Sequence, residues 1–519
     1  MKKTILISLA SLFAASLFAE IKMPAIFGDN MMFQQQKPIN IWGTAKPNAQ
    51  VKAMFNFKYT QAKADKDGNW KMALPAEAAS FSPKALVMFE DNIPSLTIKN
   101  ILVGEVWLAG GQSNMEWRVA KTTDRDLAVK NAAKLKGKMR YFKQSSDGYS
   151  KVEKNEFQKG AKWIMVDEKN VDGTTAVGYY FAERLLADLK VPVGIIYASK
   201  GASTMAAWTD KQTLLNGWCK DYAPIAGIIK RLETYTDAEY KQLLAAHNKK
   251  VADFDARVAK AKAEGKKPPV PSWDFRLSPS IESPIVDYKT PTLHFNGKIA
   301  PMRNFVFRGV IWYQGESDSN PGLLEHYTES FGMLIDCWRK RLGNPDLPFL
   351  QVQLASYDNI PREWCLARQA QFENTKKFKN VYMACIIDTG EENNIHPHDK
   401  TTPGARLEKI ALQKIYGFNA VSDAPEFKSA EFDGGAAKVF FNDFGAGLCF
   451  KGEPRGFEVL VDGKWQPAKA ALENGAVVVK SSDGKQIAGV RYLWHNWISP
   501  DACLFNKQGL PAIPFEKLK

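Results

Sequence analysis

Ser113 follows two glycines, in Gly110-Gly111-Gln112-Ser113-Asn114-Met115, at the end of the apolar run Val106-Trp107-Leu108-Ala109. Glycines at such a point allow a tight turn and a close approach of backbone. A helix that opens there presents free N–H groups to a developing oxyanion. By itself the arrangement reads equally well as a plain turn. A serine nucleophile needs a base that titrates near neutrality, and histidine is the usual one. The chain has six histidines. His247 falls in a charged helical pattern, His326 in another, and His294 and His495 stand beside aromatic runs of the packed kind. His396 and His398 lie in a polar loop after the apolar run 381–387. His-x-His spacing can also chelate a metal, but no carboxylate or cysteine cluster accompanies it, so no metal is expected. The G-x-S-x-G elbow, the P-loop and H-E-x-x-H are all absent from the sequence.

These residues need elements to hold them. Between about 101 and 418, four apolar runs each lead into a polar, glycine-bearing loop: 106–109 into Ser113, 193–197 into Ser199-Lys200-Gly201, 309–312 into Gln314-Gly315-Glu316, and 381–387 into Asp388-Thr389-Gly390. Continuous apolar strands alternating with helical patterns predict a parallel α/β sheet. Its site lies at the carboxyl ends of the strands, where all four loops fall. Residues 20–100 read as a β-rich module, with alternation in 39–43 and 51–55 and a turn at Asp67-Gly68-Asn69. Residues 419–519 return to β patterns, with Asn474-Gly475 as a hairpin turn into Val477-Val478-Val479. The stretch 210–292 reads as a helical insertion, either a lid or a surface hairpin. Thr236-Asp237-Ala238-Glu239 is a capping box that opens its charged helix, and Gly265 with Pro268-Pro269 closes it.

The whole chain sets further bounds. Lys2 and Lys3, the apolar run from Ile5 to Phe18 and Ala19 before Glu20 predict a secretory signal over 1–19. No later run is long enough to span a membrane. Export to a bacterial periplasm follows as an expectation. About 500 further residues imply two or three domains. The net charge is +14, two of it from Lys2 and Lys3. The lysines are scattered and no basic run is interleaved with aromatics, so no nucleic-acid partner is expected. The six cysteines show no C-x-x-C. Cys449 with Cys503 is a pairing an oxidising compartment permits, and buried free thiols are the alternative.

Gly111-Gln112-Ser113-Asn114-Met115-Glu116 resembles the nucleophile block of the sialate O-acetylesterase family, within the SGNH hydrolase superfamily. Other blocks follow in order: Asp29-Asn30-Met31-Met32-Phe33-Gln34; 193–196 with Gly201 and Trp208; Asn296-Gly297-Lys298-Ile299-Ala300-Pro301; Trp312-Tyr313-Gln314-Gly315-Glu316-Ser317; Ile395-His396-Pro397 with Lys400, Gly404 and Arg406; and, closing the chain, Arg491-Tyr492-Leu493-Trp494 and Gly509-Leu510-Pro511. The resemblance covers nearly the whole chain after the leader.

The resemblance implies an SGNH-type, flavodoxin-like parallel sheet with flanking helices, plus N-terminal and C-terminal β-rich modules. It implies a carbohydrate O-acetylesterase that needs no cofactor and acts on O-acetylated sialic acid through an acetyl-serine. Ser113 would be the nucleophile and His396 its base. Ser113 N–H, Gly201 N–H and the Gln314 amide would form the oxyanion hole. Gln112, Asn114 and Glu316 would contact substrate. A sialate enzyme also needs an arginine for the sugar's carboxylate; Arg118, close in sequence to Ser113, is one candidate, with a plain surface or ion-paired arginine as the alternative.

The chain also departs from the pattern. Ala202 and Ser203 replace Gly-Thr in the second block, and Ala206 stands at an acidic position. Where the superfamily often has Asp, two or three residues before the histidine, this chain has Asn394 and Asn393. Asp388 is the first candidate for the triad acid, Glu391 and Glu392 are alternatives, and a Ser–His dyad helped by a carbonyl is a further option. The same motifs serve an esterase of acetylated xylan. A carbohydrate-binding protein without catalysis is the rival of another class, drawing on the missing Asp and the 14 tryptophans.

Overall fold

A computed structural model describes residues 21–145, 147–358 and 362–519. The leader expected over 1–19 lies outside the described residues.

The element that organises the chain is one long strand, Ile93–Gly111. Its first residues are largely exposed, while 101–111 are all buried. On the buried stretch, side chains alternate between two cores, as strand geometry dictates. Trp107 and Ala109 face the core shared with the helices Ala176–Leu189 and Thr401–Ile410. Val106 and Leu108 face the core shared with the helix Tyr327–Arg341 and the N-terminal strands.

The central sheet runs in the order 381–384, 349–352, 309–313, 93–111, 193–199, 139–143, 162–165. All neighbours are parallel except the last pair, which is antiparallel. That is the mixed α/β layer arrangement expected from the continuous apolar runs. Register decides where the loops emerge. Gly111 lies opposite Ser199 on one side and opposite Tyr313 on the other. The loops beginning at Gln112, Lys200 and Gln314 therefore leave the sheet side by side.

The expected boundary near 100 falls inside the long strand. Its exposed half pairs with Ser80–Glu90, and Met32–Gln34 runs parallel to residues 102–104. The change in composition at that point marks entry into the buried sheet, and the chain runs through it unbroken. The Asp29–Gln34 block works here as a strap. Gln34 and Gln35 donate to the fully buried Glu105, at 3.1 and 2.7 Å, and Gln34 Oε1 accepts from Val106 N. Arg308 neutralises Glu105 through two hydrogen bonds of 2.8 Å.

The insertion holds the helices Lys211–Asn216, Ala223–Thr234 and Asp237–Ala263. Thr236 caps the last by accepting from Glu239 N at 3.2 Å. It is pinned to the body by Lys200–Asp287 (2.7 Å) and by Lys151 N donating to Glu282. After 418 the chain forms two antiparallel four-stranded sheets and a two-stranded one around a third core. Glu473 pairs with Ala476 across Asn474 (φ 49°) and Gly475 (φ 80°), the positive-φ turn that Asn-Gly signals. All six cysteines are free thiols, so Cys449 and Cys503 are not paired. Cys503 Sγ instead donates to Arg455 O.

Candidate active site

Ser113 opens a one-turn helix, Ser113–Glu116, directly after the central strand. Gly111 makes the turn possible. It sits at φ +140°, and a Cβ there would lie 2.1 Å from Tyr313 O. A first-turn N–H has no intrahelical acceptor, so Ser113 N–H is free of that duty.

The residues around Ser113 brace three loops against one another. Gln112 Oε1 accepts from Gly315 N and Ser317 N, each at 3.3 Å. Asn114 Nδ2 donates to Glu316 Oε1 at 2.5 Å and to Ile395 O at 3.0 Å. Asn114 thus ties the nucleophile turn to the residue preceding His396. Gln112, Asn114 and Glu316 are each only 2% exposed. The bonds they make are positioning ones, while Asn114 Oδ1 and Glu316 Oε2 have no hydrogen-bond partner. Arg118 is exposed, as a contact for a ligand from solution must be.

Of the expected oxyanion donors, Gly201 N–H and the Gln314 amide are engaged. Gly201 is adjacent to the nucleophile, since a Cβ on it would meet Ser113 Cβ at 3.7 Å. Its N–H donates to Glu116 Oε2 at 2.7 Å. The fully buried Gln314 donates to Ser203 O at 3.2 Å and, more closely, to Asp318 Oδ2. Burial pushes the Asp318 carboxyl up to about 7, against the opposing pull of the Gln314 hydrogen bond. The substitution at Ala202 has a visible consequence: it adopts φ 59°, the left-handed region that glycine occupies without cost.

His396 stacks on Trp117, with centroids 5.0 Å apart and planes 17° from parallel. Among the described residues no hydrogen bond reaches its ring nitrogens, either from Ser113 Oγ or from a carboxylate. Such bonds are often long in unliganded enzymes and tighten with substrate. Burial, reinforced by Lys400 and Lys121, lowers the imidazole to about 4. Lys400 is itself buried; desolvation pulls it down to about 7, opposed by Glu316. Burial raises Glu316, and its Oε2 has no hydrogen-bond partner.

Asp388 does not reach His396. Both its oxygens are taken by Arg406, at 2.5 and 2.7 Å, and Arg406 also donates to Cys385 O. A carboxylate committed to a bidentate guanidinium is a structural clamp, so the expectation of Asp388 as triad acid is corrected. Glu392 is exposed. Glu391 holds the other histidine, His398, through Nδ1 at 2.8 Å.

Sequence reasoning missed Glu116, Trp117, Lys298 and Asp318. The first two follow the serine within four residues, a proximity that was a usable signal. Lys298 is fully buried and donates to Ser199 O at 3.0 Å, beneath the end of a sheet strand. Asp318 lies four residues after Gln314, and nothing in the sequence aims it at that amide.

A serine on a strand-to-helix turn, with loops from three parallel strands around it, is the layout of a serine hydrolase built on a parallel sheet with flanking helices. A family model described as carbohydrate esterase, sialic acid-specific acetylesterase matches residues 287–412. The sialate O-acetylesterase of Homo sapiens is 24% identical, over 95% of this chain and 91% of that protein. That of Mus musculus is 25% identical, over 76% of this chain and 73% of its own. The crystal structure of a carbohydrate acetylesterase from Xanthomonas citri is 31% identical, covers 96% of this chain and 99% of that one, and superposes with a TM-score of 0.78. The chain belongs to this family of carbohydrate acetylesterases, which includes the sialate O-acetylesterases.

Proposed function

We propose that this protein is a carbohydrate O-acetylesterase that removes acetyl groups from O-acetylated sialic acid through an acetyl-serine intermediate. The observation that carries the reading is the junction at Ser113, where the nucleophile turn, Gly201 and the His396 loop are held in one patch by Glu116 and Asn114. In the proposed cycle His396 takes the Ser113 proton as Ser113 Oγ attacks the acetyl carbonyl. The tetrahedral oxyanion is met by Ser113 N–H and Gly201 N–H, once substrate draws the latter from Glu116. Each such donor is worth roughly 3 kcal/mol in the transition state. The deacetylated sugar leaves, and water hydrolyses the acetyl-enzyme.

Arg118 is the proposed partner of the sialic acid carboxylate. One observation favours a second reading, an esterase of neutral acetylated xylan. The buried cations nearest the site, Lys298 and Lys400, both donate to backbone carbonyls. Purified protein assayed on O-acetylated sialic acid and on acetylated xylo-oligosaccharides separates the two, and turnover of the xylan fragments alone overturns the sialate reading. Export is part of the proposal and rests on the leader pattern of 1–19. A mature amino terminus at Glu20 is its test.

A further inference from the structure

The loop that carries His396 lacks an acid on the ring, yet it contains a carboxylate with an unusual number of partners. Glu391 Oε1 accepts from His398 N at 2.6 Å and meets His398 Nδ1 at 2.8 Å. Its Oε2 accepts from Asn394 Nδ2 at 2.8 Å and lies 3.1 Å from His398 Nδ1. Asn394 passes the hold on. Its Oδ1 accepts from His396 N at 3.0 Å, and its Nδ2 donates to His396 O at 2.9 Å. Glu391 and Asn394 also form a backbone bridge. The two histidines then close on opposite features of one ring: His396 stacks on Trp117 and His398 meets it edge-on at 5.9 Å. The loop is supported from behind, because Gly390 N donates to Ser499 Oγ of the closing C-terminal segment.

We propose that Glu391 is a positioning residue that sets His396 through the backbone, using His398 and Asn394 as its two handles. The inference rests on the reading of His396 as the base. In this arrangement Asn394 is required as an amide: its N–H bridges to Glu391, a contact that a carboxylate at 394 would turn into like-charge repulsion. The acid's usual task, fixing the imidazole through Nδ1, is replaced by fixing the peptide on which the imidazole is mounted. Glu391 needs its acceptors for this far more than its charge.

The test compares kcat and KM for Glu391→Gln, Glu391→Ala and Asn394→Asp, with thermal unfolding of each. The glutamine keeps one acceptor for His398 N and His398 Nδ1–H but turns an amide N–H toward Asn394 Nδ2, so it loses the Asn394 handle and lowers kcat by about tenfold, the worth of one hydrogen bond. The alanine frees the loop and lowers kcat by about 10²-fold with KM unchanged, the cost of a misplaced group. Asn394→Asp lowers kcat as well.

Three results overturn the inference. A loss near 10⁴-fold in Glu391→Gln is the signature of a charge acting on the ring itself. Wild-type kcat in Glu391→Ala means the loop needs no clamp. Unchanged or raised kcat in Asn394→Asp means the amide is dispensable. If Glu391→Ala unfolds, Glu391→Gln and Asn394→Asp, which keep the side-chain volume, still decide. Ser113→Ala run alongside isolates the parent reading: activity surviving there refutes the serine mechanism, whatever Glu391 does.

Discussion

Replacing Asp388 by Asn separates an acid of the triad from an acid of the scaffold. The Asp388–Arg406 pair is 18% and 12% exposed at its side chains and makes two hydrogen bonds, of 2.5 and 2.7 Å. Exposed ion pairs contribute about 0–1 kcal/mol, and breaking a fully buried one costs about 3–5 kcal/mol. This pair lies between those limits. An asparagine keeps one acceptor for Arg406 and turns an amide N–H toward the other guanidinium N–H. One charge-assisted bond is lost, so the expected cost is about 2–3 kcal/mol. Urea unfolding followed by fluorescence should show this as a lower midpoint at unchanged slope. The rate on an activated acetyl ester, measured well below the new midpoint, should stay within a fewfold of wild type. A kcat reduced about 10⁴-fold in a protein of normal stability would refute the reasoning, because that is the loss expected of a triad acid.

The pH profile follows from His396, whose imidazole is lowered to about 4 by burial and by Lys400 and Lys121. The base must be neutral to accept a proton, so kcat/KM should hold from neutrality down to about pH 4 and fall below it; an acid limb centred near 6.5 contradicts the burial seen for the ring. Ala202→Gly removes a Cβ from a residue at φ 59° and should stabilise the protein by about 1 kcal/mol, visible as a higher unfolding midpoint; a lower midpoint would mean the methyl group packs better than the backbone is strained. Alkylation of the unfolded, unreduced protein should label all six cysteines, and labelling of four would restore a disulfide.

The sheet was legible because its strands are buried on both faces and so read as unbroken apolar runs. The four loops expected at their carboxyl ends include the three that register places together after Gly111, Ser199 and Tyr313. The strap around Glu105 and the unbroken strand through position 100 were not legible. Both depend on which residues a long strand pairs with, and alternation along one strand carries no record of its neighbours. At the site, the residue types were legible and their directions were not. Asp388 stands eight residues before His396, yet Arg406, one helix later, captures it. Gln112, Asn114 and Glu316 have the chemistry of ligand contacts, and each also holds loops together through hydrogen bonds that no spacing rule selects. Glu391 has its partners within seven residues, yet they are backbone and amide groups that no spacing rule selects.

The central claim is that Ser113 carries the acetyl group. Protein mixed with an activated acetyl ester, quenched in acid within a turnover and digested should yield one acetylated peptide, the one containing Ser113. Ser113→Ala should yield none and should lose about 10⁴-fold or more in kcat. Acetyl on a different residue, or turnover by Ser113→Ala at the wild-type rate, would contradict the account.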